Sequence, residues 1–179
     1  MRDHSEKARQ VILEIIRQSV GDSVVGTTRL FKAFYFAHLY HLRDAEDFLS
    51  QWPIVRMPRG PGIDNFDALL DPLVKCGHVA VSRSHTGPYP TIRYTARRDL
   101  PETCLSEEEV KSIHKAVEFI QGKRAARLSE FTHEYSRSWQ EAKDGDELRI
   151  ALDLMTDGDV ADARRQQDEI GQLVSDVFG

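Results

Sequence analysis

The side chains with chemistry to offer in this sequence are a few histidines, two cysteines and a set of arginines. His38 and His41 stand three apart in a stretch of helical periodicity, a spacing that puts two imidazoles on one face and is compatible with a metal. Neither has a carboxylate or cysteine at a spacing that completes a site, so both read as core or interface histidines. His133 and Glu134 resemble an acid/base pair, but adjacent residues on a helix point ~100° apart and do not act on one atom. Cys76 and Cys104 read as ordinary free thiols. Phosphate-binding glycine loops, Gly-x-Ser-x-Gly, His-Glu-x-x-His and Cys-x-x-Cys are all absent. The reading is a protein with no catalytic residue, metal site or cofactor. What remains is positive charge: Arg56, Arg59, Arg83, Arg93, Arg97 and Arg98 gather around a proline-glycine stretch and a pair of extended runs. Such a cluster suits phosphates or an acidic protein surface.

The element expected to organise the rest is Thr27–Arg43. Leu30, Phe34, Ala37 and His41 form one helical row, and Phe31, Tyr35, His38 and Leu42 form its neighbour, so the apolar arc takes up most of the circumference. A helix of that kind belongs at the centre of a domain, with Thr27 or Thr28 as its cap. Before it, Ala8, Val11, Ile12, Ile15 and Ile16 mark an amphipathic helix over Ser5–Val20, followed by a short Ser-Val-Val link. After it, Gln51–Met57 reads as extended, and Pro58-Arg59-Gly60-Pro61-Gly62 reads as a rigid non-regular loop. Ile63–Gly77 reads as a helix capped by Asp64 or Asn65, with a kink or restart at Pro72.

His78–Arg83 and Thr91–Thr95 form a β-hairpin with a long loop. Ser106-x-x-Glu109 is a capping box opening a helix that carries Val110, Ile113, Val117 and Ile120. Gly122-Lys123 ends it, and Leu128, Phe131, Tyr135 and Trp139 make the stripe of one further helix. Asp144-Gly145-Asp146 is a turn, and Glu147–Met155 a short helix. Asp157–Phe178 carries Val160, Ala163, Gln167, Ile170, Val174 and Val177 in heptad-like spacing. The fold class is therefore mainly α with a small β-hairpin, α+β, built around a central aromatic helix. Residues 1–155 are read as one domain. Residues 156–179 are read as an amphipathic helix that packs on the domain or is used for partner binding.

At 179 residues, with 40% hydrophobic and 30% charged residues, the chain has the composition of an ordinary globular domain. A net charge of −5 gives no global attraction to nucleic acid or to anionic lipid. The start, Met-Arg-Asp-His-Ser-Glu-Lys, has no apolar leader, and no stretch approaches a membrane span, so a cytoplasmic location with no membrane partner is expected. The order helix, helix, helix, hairpin from Ser5 to Thr95 is also that of a winged helix, which makes a DNA-binding regulator the alternative function. Against it, the third helix carries Asp64, Asp67 and Asp71, which repel a phosphate backbone.

Three separated segments resemble a known family. These are Tyr35-Phe36-Ala37-His38-Leu39-Tyr40-His41-Leu42-Arg43, then Met57-Pro58-Arg59-Gly60-Pro61, and last Leu128-Ser129-Glu130-Phe131-Thr132-His133-Glu134 with Trp139-Gln140-Glu141-Ala142. In this order, over about residues 7–150, they are similar to the Panacea domain, the SocA-like family of antitoxins and phage-associated proteins. The resemblance implies a non-enzymatic protein that neutralises a co-encoded toxin by direct binding, with a protease as second partner for members that present bound cargo. It implies structural roles for Tyr35, Phe36, His41, Pro58, Gly60, Pro61, His133 and Trp139, and it leaves Arg56, Arg59, Arg83 and Arg93 as candidates for partner contact. The chain departs from the family pattern at Gly62-Ile63, at Arg59, where an aromatic is usual, and at Pro72. Monomer and homodimer are both open.

Overall fold

A computed structural model describes residues 4–97, 99 and 102–178, apart from several side chains of the last helix. Arg98, one of the arginines in the expected cluster, lies outside the described residues. The chain runs α1 (His4–Gln18), β1 (Ser23–Val25), α2 (Thr27–Ala45), β2 (Ile54–Met57), β3 (Gly60–Ile63), α3 (Phe66–Lys75), β4 (Val79–Ser84), β5 (Thr91–Ala96), α4 (Glu107–Ile120), α5 (Ala125–Tyr135), α6 (Arg137–Glu141) and α7 (Asp157–Phe178). It is mainly helical with two small antiparallel sheets. Among the described residues no helix is long and apolar enough to cross a membrane.

The apolar arc of α2 is buried as its periodicity demands. Leu30, Ala33, Phe34, Ala37 and His41 and, on adjacent faces, Tyr35, Phe36 and His38 are all buried. Helix α4 lies along it, α1 and α5 flank it, and β3 crosses it. The cap is not a threonine: Gly26, at φ 93°, holds the N-cap position with no side-chain bond, and Thr27 instead shares a hydrogen bond with the Tyr94 hydroxyl at 2.7 Å. That bond ties the start of α2 to the sheet, which a capping threonine would not do. The capping box of α4 forms with both arms, Glu109 N to Ser106 Oγ and Ser106 N to Glu109 Oε2.

The Ser-Val-Val link is a strand, β1, paired antiparallel with β5 in the order β1-β5-β4. Three residues give too short a pattern to show a period, and it is the partner β5 that makes them a strand. With β1 between α1 and α2, and α3 leading into the β4–β5 hairpin, residues 4–96 have winged-helix topology with β2–β3 inserted between the second and third helices. Helix α3 is a single helix through Pro72, so no restart occurs there; Leu69, Leu70 and Leu73 are buried on both sides of the proline and hold the helix on α1 and β4. Asn65 occupies its N-cap position but makes no capping bond.

Trp139 does not continue α5. Ser136 leaves the helical region at ψ 101° and its hydroxyl caps the new helix α6 by accepting from Trp139 N. The segment expected as a short helix over 147–155 is partly extended, with a bridge from Glu147 to Val55, and turns into a 3-10 helix only at Ile150–Leu154. In α7, Ile170 is exposed, while the side chains of Val160, Ala163, Gln167, Val174 and Val177, the rest of the heptad stripe, lie outside the described residues. Arg137 reaches Asp157 at its start, and Arg164 meets Glu141 at 2.6 Å.

Candidate partner-binding site

The stretch Pro58–Gly62 is the largest departure from expectation, because it is no irregular loop. It closes and continues a two-residue hairpin: Met57 faces Gly60, Arg56 faces Pro61, Val55 faces Gly62 and Ile54 faces Ile63. Proline is tolerated inside this ladder by register. Antiparallel pairs alternate between hydrogen-bonded and non-bonded, and a tight hairpin closes on a bonded pair, so Arg56 and Pro61 form the non-bonded pair. The missing N–H of Pro61 therefore leaves no gap. Arg56 directs its own backbone the other way, N–H to Asp146 O and C=O from Gly145 N, both at 2.9 Å.

Around this hairpin the chain builds a clamp. Lys32, on the buried face of α2 and 1% exposed, donates its Nζ to the Arg59 carbonyl at 2.6 Å and to the Pro61 carbonyl at 3.3 Å. Gly60 has φ 102°, and a Cβ there would overlap Lys32 Nζ and Thr132 Oγ1. Glycine at this point meets two demands together, a left-handed backbone and close approach. Trp139 donates its indole N–H to the Met57 carbonyl at 2.8 Å. His133 stacks on that indole with centroids 4.1 Å apart and planes 15° from parallel, and it hydrogen-bonds the Pro58 backbone. The Arg56 guanidinium sits 4.0 Å from the Trp139 ring, donates to the Trp139 and Ala142 carbonyls and pairs with Asp144 at 2.9 Å.

The electrostatics follow from this enclosure. Burial, with no carboxylate partner among the described residues, drags the Lys32 amine from its ordinary 10.5 down to about 7. Burial also lowers His133, with help from the charges of Lys32 and Arg56. Its Nε2 is buried and has no hydrogen-bond partner among the described residues. His38 is pushed down to about 4 by complete enclosure, with Nδ1 toward the Phe34 carbonyl and Nε2 toward Ser50 Oγ. His41 Nδ1 meets Ser112 Oγ instead. The two central histidines thus have separate protein partners in the core. Tyr35 donates to Asp153 Oδ2 at 2.7 Å, and Phe36 packs against Phe119 and Phe131.

The arginines do not share one element. Arg56 is half-buried and committed to the clamp, whereas Arg59 is exposed at the hairpin tip beside exposed Pro58. Arg83 and Arg93 are exposed on the β4–β5 wing, but Arg93 faces Ser82 across the ladder, which puts the two arginines on opposite faces of the sheet. Arg97 is exposed just past β5. Beside the Arg59 turn lies a groove of about 280 Å³ whose walls include Thr28, Phe31, Met57 and Pro58. Lys32, Thr132 and Asp153 were missed from sequence. Lys32 had a signal, since it stands among apolar residues in the first half of the central helix, and Thr132 lay within the third family-like segment; Asp153 had none.

The arrangement holds a solvent-facing Pro58-Arg59 tip rigid with a buried cation, two aromatic rings and a glycine. A partly apolar groove adjoins that tip. A family model described as "Antitoxin SocA-like, Panacea domain" matches residues 30–140, which spans α2 through α6 up to Gln140 and includes every part of the clamp except Ala142 and Asp144. Comparison with curated proteins and with solved structures returns no match.

Proposed function

The chain belongs to the antitoxin SocA-like Panacea family, and from that premise we propose that it neutralises a co-encoded toxin by direct protein–protein contact, without catalysis, through the surface around Arg59. The observation that carries this reading is the clamp: Lys32, Thr132, His133 and Trp139 immobilise a turn whose arginine is left in solvent. A rigid backbone presenting an arginine beside a partly apolar groove loses little conformational entropy on binding, and arginine is among the residues that dominate interface energetics. Arg83 and Arg93 on the wing are secondary candidates, one from each face of the sheet.

The winged-helix topology raises the alternative of DNA binding, and the surface of α3 speaks against it. Asp64 just before the helix and Asp67 and Asp71 within it are exposed, and exposed Lys75 alone opposes them. A recognition helix with that charge would be repelled by the phosphates it must approach.

The test is co-expression of the product of the neighbouring reading frame with and without this protein, followed by co-purification of the pair. Rescue of growth by the intact chain, together with a stable complex that Arg59→Glu weakens, is the expected result. Growth arrest that this protein leaves unchanged overturns the reading.

A further inference from the structure

A second groove, of about 240 Å³, opens between α2, α4 and α5 on aromatic walls. Phe119, Phe131 and Tyr135 form a chain of ring contacts, with centroids 5.4 Å apart for the first pair and 4.7 Å for the second, and Tyr135 is 60% exposed. Tyr40 stands on the α2 side, and the lining also includes the half-buried carboxylate of Asp153. That carboxylate accepts from Tyr35 Oη, Ser136 Oγ, Ser138 Oγ and Ser138 N, all neutral donors. Among the described residues no ion pair involves it, and it carries the one formal charge in the groove's lining. Aromatic faces present negative potential and attract cations. The same ring system already shows this attraction within the chain, since Lys123 Nζ stands 4.5 Å over the Phe119 ring.

We infer that this groove receives an arginine side chain from a protein partner, its guanidinium stacked on the exposed Tyr135 ring with its charge toward Asp153. Charge complementarity selects the occupant: a carboxylate whose four hydrogen bonds all come from neutral donors, set among π faces, suits a cation, and a planar guanidinium covers a ring face more fully than a compact, strongly hydrated ammonium. The naming of a protein as the source rests on the partner-binding reading above; the preference for a guanidinium does not.

The experiment titrates the full-length protein alone with N-acetyl-arginine amide and, as the uncharged isostere, N-acetyl-citrulline amide, following aromatic side-chain NMR signals. The expected result is a saturable shift of the Phe119, Phe131 and Tyr135 rings with the arginine compound only. Tyr135→Leu should weaken it about 3-fold or more while Tyr135→Phe retains it, as a cation–π contact requires. An equal response to citrulline, no response at these rings, or a stronger response to tetramethylammonium, which would assign the groove to a small cation, overturns the inference. Tyr135 is exposed, so neither variant threatens the fold. No toxin is present in this titration, so its failure leaves neutralisation to be judged by co-expression, and failure of co-expression leaves the arginine preference to be judged here.

Discussion

Lys32 Nζ lies 2.6 Å from the carbonyl oxygen of Arg59, so a buried cation on the central helix fixes the backbone of the residue whose own cation stays in water. The two positive charges are handled oppositely. Arg59 keeps its charge in solvent, while Lys32 is drawn inward to satisfy carbonyls that the hairpin's outer edge would otherwise bury unpaired.

That enclosure makes stability depend on pH. With Lys32 lowered from 10.5 to about 7 in the folded chain, the unfolded state binds the proton through the interval between them while the folded state releases it. Stability therefore rises with pH in that window and is lost as pH falls toward 7, by up to about 1.4 kcal/mol per unit. Lys32→Met keeps most of the stem and removes the proton site. Denaturant midpoints of both proteins from pH 7 to 9 should diverge, wild type gaining on the variant as pH rises. Parallel curves would show that the amine is not held in the enclosed state.

Gly60 is the point where the clamp leaves no room. Gly60→Ala adds a methyl group against Lys32 Nζ and Thr132 Oγ1 and forces alanine to φ 102°. Destabilisation of about 2–4 kcal/mol is expected, from backbone strain and overpacking together. Gly145→Ala is the control: φ is 87° there, but nothing lies within 4 Å of the added carbon, so only the strain of about 1 kcal/mol should remain. Chemical denaturation of the two variants measures the difference. Equal losses would mean that close packing at Gly60 contributes nothing.

How much of this was legible beforehand depended on whether the cause was local. The burial of α2, the capping box at Ser106 and Glu109, and the wing over 79–96 follow from periodicity and short-range chemistry, and each forms where expected. The fates of Pro58–Gly62, Ser23–Val25 and Glu147 were set by partners far along the chain. Gly-Pro-Gly is a strand because Ile54–Met57 lies beside it and Lys32 holds its edge, and no window of sequence contains those facts. The break at Ser136 was local, yet the hydroxyl that accepts from Trp139 N also donates to Asp153, a partner that no short window contains. The arginine cluster was a cluster in sequence alone. Strand alternation separates Arg83 from Arg93, and the Trp139 ring with its neighbouring carbonyls takes Arg56 out of solvent.

Arg56 and Arg59 should accordingly fail in different ways. Arg56→Ala removes donors from the Trp139 and Ala142 carbonyls and a guanidinium from the Trp139 face, so a stability loss of about 2–3 kcal/mol is expected. Arg59→Ala removes an exposed side chain and should move stability by less than about 0.5 kcal/mol. In partner titration by calorimetry the order should reverse for the folded proteins, Arg59→Ala losing about 2 kcal/mol of affinity, roughly 30-fold. Full affinity in Arg59→Ala would remove the turn from the interface.

Helix α7 offers the clearest separation of folding from recognition. Its described side chains from Asp157 to Ser175 are exposed, and its described ion pairs to the domain are Arg137–Asp157 and Arg164–Glu141. Surface pairs of that kind contribute about 0–1 kcal/mol each, so truncation after Met155 should leave the unfolding midpoint of the domain within a few degrees of wild type. His41→Ala behaves conversely: it opens a cavity beside Ser112 in the buried face of α2 and should lower stability by about 2–4 kcal/mol while leaving the partner affinity of the folded fraction unchanged. If α7 is a recognition element, the truncated protein will keep its fold and lose affinity by tenfold or more, and thermal melts paired with partner titration on the same samples decide it. A truncation that unfolds the domain would instead show that α7 contributes more to the fold than its two surface ion pairs.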